Sequence, residues 1–271
     1  MNKLYIIALA IITLSCDTAK TTEKVDSNTT KNFFFEEVEA IKSGNEELLL
    51  PEGFTYQVLF QGGKDSVLRA DGKKFLAKAS NDMLAYLPID GSSEHGYLYV
   101  SQETFKVNPN LGDGGGGSIM EIKKENGKWT VVNDVRHIDF SNVRETSRNC
   151  GGTPTPHGTI LTCEEMQPMS NLELSYDGKA FSDTSDLANG MKAFENQGWM
   201  VEVDPNTGKA MHKLYSMGRY MHEDAHCMPD GKTVYLSDDN DPAVFFKFIA
   251  DSVGNYKKGQ LYAFQQTETS G

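Results

Sequence analysis

Apolar positions along the chain come in short alternating runs, broken at intervals by glycine, proline and asparagine. That period-two pattern predicts β-strands rather than helices. It is clear in PEGFTYQVLFQGG, MLAYLPIDG, GYLYVSQET, TVYLS and AVFFKFIA. Two stretches read as complete hairpins. In one, SIMEI turns at Glu125-Asn126-Gly127 into KWTVV; in the other, GWMVEVDPNTGKAMHKLY turns between Asp204 and Gly208. The Gly114–Gly117 run has no lysine or helix after it, so it reads as the flexible start of a strand and not as a phosphate loop. Phe33-Phe34-Phe35 and the residues up to Gly44 suggest one short helix. Many short strands with regular turns predict an all-β sandwich or propeller. Recurrence of a strand–turn–strand unit is compatible with propeller blades of about 40–50 residues.

The ends add to this picture. Residues 1–16 hold one lysine and then an apolar run of signal-peptide length, ending Leu14-Ser15-Cys16. That ending resembles a bacterial lipoprotein cleavage box, which predicts export, Cys16 as the lipidated residue and membrane attachment only through that lipid. Residues 17–45 read as a polar tether with the short helix, and 46–271 as the propeller domain. The net charge of -12 argues against a nucleic-acid partner and suits divalent cations. Of the 4 cysteines, Cys150, Cys163 and Cys227 follow Cys16, an odd number for an oxidising compartment.

The chemistry concentrates in NCGGTPTPHGTILTCEE, from Asn149 to Glu165. A glycine-rich loop feeds the apolar run Thr159–Thr162, which delivers Cys163, Glu164 and Glu165 at a strand end. Two readings are open. Cys150 and Cys163 close a loop as a disulfide beside solvated glutamates, or thiolate and carboxylates hold a metal. Other acids recur at strand ends: Glu103, then Glu223 next to His222, then Asp238-Asp239. Arg219, in the same loop as Glu223, is a candidate for gripping phosphate. His137 and His212 read as solvated side chains.

From about Leu50 onward the sequence resembles the PhoX family of bacterial secreted alkaline phosphatases. The resemblance is carried by LPEGFTYQVL, Asn81-Asp82 before LAYLP, GYLYVSQET, NCGGTPTPHGTILTCEE, GWMVEVDP, GRYMHED and VYLSDD with FFKF after it. It implies a six-bladed β-propeller and phosphomonoester hydrolysis at a cluster of iron and calcium. It also implies metal ligands at Cys150, Glu103, Glu164, Glu165, Glu223 and Asp238. Glu165 and, from its guanidinium chemistry alone, Arg219 are the candidate catalytic residues, and a monomer is expected. The chain departs from the family in three ways. Gln102 stands where a histidine precedes the glutamate, and His157 where tryptophan is common. Members also continue well beyond Gly259-Gln260-Leu261-Tyr262, so an incomplete propeller is expected. Two other functions stay open: a non-catalytic surface lipoprotein binding a ligand or partner, and a calcium-dependent ester or lactone hydrolase.

Overall fold

The computed structural model describes residues 38, 48–174 and 181–266. The expected leader with Cys16, and nearly all of the expected helix, lie outside them. The chain divides into two units, Met1–Tyr56 and Gln57–Gly271. In the first, Phe54 N donates to Pro51 O in a turn.

The second unit is built of strands, as the alternation predicts. Its first sheet runs in the order β2-β1-β7-β5-β4-β3, with β6 paired to β5. These strands are β1 (Ser66–Leu68), β2 (Lys74–Leu76), β3 (Asn81–Pro88), β4 (His95–Lys106), β5 (Gly114–Glu125), β6 (Lys128–Val131) and β7 (Arg136–His137). The β5–β6 turn places Asn126 and Gly127 at φ 52° and 78°, which is why an Asn-Gly pair makes a tight hairpin here. The second sheet joins β8 (Asn149–Pro154), β9 (Ile160–Glu164), β10 (Met200–Asp204) and β11 (Lys209–Lys213). A third joins β12 (His222–Cys227), β13 (Thr233–Asp238), β14 (Phe246–Ser252) and β15 (Asn255–Ala263). Three up-and-down antiparallel meanders result: β3–β6, β8–β11 and β12–β15. No sheet of the described residues closes on itself. The meanders begin at Asn81, Asn149 and His222, a wider spacing than the blade length inferred from sequence, because long loops such as the one from Glu165 to Trp199 intervene.

The second sheet is buried on both faces, which explains its continuous apolar runs. Every residue of β9 is buried. Ile160, Val201 and Val203 pack against Ala85, Leu87, Tyr99 and Ile119 of the first sheet. Leu161, Cys163 and Met200 face the other way, toward Val234, Leu236 and Phe248 of the third. Side chains alternating across a strand produce this division.

The first strands of the meanders, β3, β8 and β12, lie side by side. The Gly114–Gly117 run makes part of this approach possible. A Cβ on Gly115 would stand 2.2 Å from Asn149 Oδ1, and one on Gly117 2.5 Å from the Tyr99 ring. All four glycines are buried in β5, so the run is a packed strand and not a flexible one.

Candidate metal centre

Cys150 sits on β8 where it meets β12. Its thiol donates to the carbonyls of His222 and Glu223, both at 3.1 Å. Asp224 Oδ1 accepts the Gly152 N–H at 2.9 Å, a second tie between the two strands. A Cβ on Gly151 would stand 2.4 Å from Glu223 O, so only glycine permits this approach. Cys150, Cys163 and Cys227 are all free and buried, and the disulfide reading is not the one adopted.

Alternation then separates the two adjacent glutamates. Glu164, fully buried, pairs through Oε1 with Lys213 Nζ at 2.8 Å and accepts Thr146 Oγ1 at 2.8 Å. Its Oε2 accepts the Trp199 N–H at 3.1 Å. With both oxygens engaged, Glu164 is a structural acid and is not brought to the thiol. Glu165 turns the other way. One ligand atom each from Cys150, Glu165 and Glu223 lies within 4.8 Å of the others.

Glu103, on β4, joins this group through Arg148. The Arg148 Nη2–Glu103 Oε1 distance is 3.2 Å, and Arg148 Nε lies 3.4 Å from Glu165 Oε2. Among the described residues neither Arg148 Nε nor Glu165 Oε2 has a hydrogen-bond partner, although both are buried. Arg148 itself is held at φ 42° by backbone bonds on both sides, from its N–H to Thr104 O and from Glu165 N–H to its carbonyl. A non-glycine residue in that region is strained, and such strain persists only where the surroundings fix it.

The electrostatics are those of a site lacking positive charge. Burial pushes the Glu165 carboxyl up to about 7, against the pull of Arg148 and with help from Glu103 and Glu223. Burial also raises Glu223, with Asp239, Asp82, Glu103 and Asp224 adding to the effect. Asp82 is raised by burial and then by Glu103 and Asp224. One guanidinium faces this many acids, a charge balance that suits a bound cation. A thiol among carboxylates, with a buried carboxylate oxygen ion-paired but not hydrogen-bonded, fits a transition metal, and the outer acids fit a hard divalent ion.

The remaining expected residues are placed elsewhere. Asp238 accepts from Asn240 N and Nδ2 and from Val244 N, capping a turn, and the acid acting on Glu223 is its neighbour Asp239. Arg219 is committed to backbone carbonyls: Nε donates to Gln197 O at 2.8 Å, and Nη2 to Phe194 O at 3.0 Å and to Pro168 O. It holds a loop and does not point a free fork at phosphate. Gln102 is buried, donating to Ser118 Oγ at 2.9 Å. His137 is buried and not solvated, and His212 pairs with Glu202 at 2.9 Å. Sequence reasoning missed Arg148, although it stands two residues before Cys150, and missed Asp82 and Asp224 as members of the acidic group; of the pair Asp238-Asp239 it chose Asp238 as the ligand, whereas Asp239 is the one that acts on Glu223.

A structural likeness extends this local geometry. Pseudomonas fluorescens PhoX, solved in complex with vanadate, a transition state analogue, aligns with 79% of this chain at a TM-score of 0.55 and 20% identity. The alignment covers 52% of that protein, so the chain spans about half its length. The likeness shows a shared fold. No curated protein is significantly similar in sequence. The sequence profile described as Alkaline phosphatase PhoX matches residues 35–269. With the profile spanning nearly the whole chain and the fold in agreement, the chain belongs to the PhoX family of alkaline phosphatases.

Proposed function

We propose that this protein is a metal-dependent phosphomonoesterase of the PhoX type. The observation that carries this reading is the convergence of Cys150, Glu165 and Glu223 within 4.8 Å, beside a buried arginine Nε that is ion-paired to Glu165 but makes no hydrogen bond. Cys150 with Glu165 and Glu223 would hold iron. Glu103, Asp82 and Asp239, acids that act on Glu223, would hold calcium. Bound there, the ions would supply Lewis-acid neutralisation of the charge that grows on the phosphoryl oxygens and would activate the attacking water.

The chain's own residues do the rest. The Arg148 guanidinium offers Nε to a phosphoryl oxygen, taking the role expected of Arg219. Its bond to Glu103 fixes the fork in direction. The Cys150 S–H donates to the carbonyls of His222 and Glu223, and metal binding would displace that proton. The three meanders are read as blades of a propeller, six in the family, with their first strands around the channel. Residues 1–16 are read as a lipoprotein leader that exports the chain and leaves Cys16 lipidated.

Elemental analysis of the purified protein together with turnover of an aryl phosphate tests the reading. Stoichiometric iron and calcium, with activity lost to chelator and regained on adding both ions, is the expected result. A metal-loaded, folded protein that hydrolyses no phosphoester would overturn it.

A further inference from the structure

Beside the acidic group lies a cleft of about 470 Å³. Its walls are Phe105, Met166, Gln167, Pro168 and Met221, with Arg148 at one side and Glu173 at another. Three of these wall residues are tied to site residues. Met166 follows Glu165, Met221 precedes His222 and Glu223, and the Arg148 guanidinium lies 5.5 Å from the centre of the Phe105 ring. Arg148 thus touches the site with its donors and the cleft with its flat face. A phosphoryl group taken by Arg148 would leave its ester oxygen and whatever that oxygen carries at the cleft.

The walls select what can enter. An aromatic ring, a proline and two methionines offer dispersion contact and thioether–ring contact, while Gln167, the neutral hydrogen-bonding side chain among them, already gives its Nε2 to Arg219 O at 3.1 Å. Glu173 adds negative charge, its carboxylate fixed by the Met169 N–H at 2.8 Å. A leaving group bearing further phosphates would meet that charge.

We infer that this cleft binds the leaving group and favours phosphomonoesters of apolar, uncharged alcohols, aryl or alkyl, over those of sugars and nucleosides. The inference rests on the phosphatase reading of the adjoining site. The chemistry is ordinary ester hydrolysis: water adds to phosphorus, the P–O bond to the alcohol breaks, and the alcohol leaves with a proton.

Calorimetric binding of phenylphosphonate, methylphosphonate and inorganic phosphate to the metal-loaded full chain separates the two readings. Phenylphosphonate is expected to bind about tenfold tighter than methylphosphonate, from burial of the ring. Methyl-labelled methionine spectra should show Met166 and Met221 shifting with phenylphosphonate and not with phosphate. In Met221→Gln and in Met166→Gln the phenyl-over-methyl preference should fall to about threefold or less. It should be retained in Val253→Gln, an exposed position outside the cleft. Equal binding of all three ligands would overturn the cleft assignment and leave the phosphatase reading standing. Binding of none would overturn both.

Discussion

Replacing Lys213 with methionine tests whether Glu164 is a structural acid and Glu165 the functional one. The Lys213 and Glu164 side chains are 1% and 0% exposed, so neither charge is screened by water. Removing the ammonium leaves the carboxylate buried with only two neutral donors, Thr146 Oγ1 and the Trp199 N–H. Breaking one side of such a pair costs about 3–5 kcal/mol. The two remaining donors put the expectation near the lower end, about 3 kcal/mol, which in a domain of this size lowers Tm by about 6–12 °C. Urea unfolding followed by tryptophan fluorescence in chelator measures it without any contribution from bound metal. Replacing both partners, as Glu164→Leu with Lys213→Met, should recover much of the loss, because the desolvation of both charges goes with them. A loss under about 1 kcal/mol would refute the assignment of a buried ion pair. So would a folded Glu164→Gln variant that loses metal as fully as Glu165→Gln does.

Three further outcomes follow from the same geometry. Gly151→Ala forces a Cβ against Glu223 O and Asp224 Oδ1, at 2.4 and 2.5 Å. It should cost about 1–3 kcal/mol and lower bound metal in elemental analysis, by pushing β12 from β8. Arg219→Ala should destabilise by about 2–3 kcal/mol, through loss of its carbonyl bonds, without weakening phosphate binding, whereas Arg148→Ala should weaken phosphate binding in calorimetry. Burial, aided by the Lys78 charge, pushes His137 down to about 3. The unfolded chain therefore takes up that proton first as pH falls below about 6.5, and stability should drop by about 2 kcal/mol between pH 7 and 5 on this account. His137→Asn should flatten that part of the pH profile in urea titrations.

How far the sequence could be read divides along physical lines. Strand type and hairpin positions were legible because period-two alternation and an Asn-Gly turn are local properties. The pairing of β1 with β7, a single parallel contact at Leu68 and Arg136, has no local signature, and so the seven-stranded first sheet could not be foreseen. At the site, the motif around Cys150 and Glu165 was informative, yet the two glutamates were kept together. Strand alternation alone would have sent them to opposite faces; only the fold shows that Lys213 waits on one side and Arg148 on the other. The arginine in the same loop as Glu223, Arg219, looked available because sequence does not display backbone carbonyls, and three of them capture it.

Cys150, Glu165 and Glu223 stand on β8, after β9 and on β12, in two different sheets. An ion held by all three would be a cross-link that the unfolded chain cannot make. Folding and metal uptake would then be one linked equilibrium, with the folded form gaining about 2.7 kcal/mol at a free metal level one hundred times Kd. Starvation for metal would be felt as lost conformational stability, with proteolytic turnover of the chain tracking ion supply.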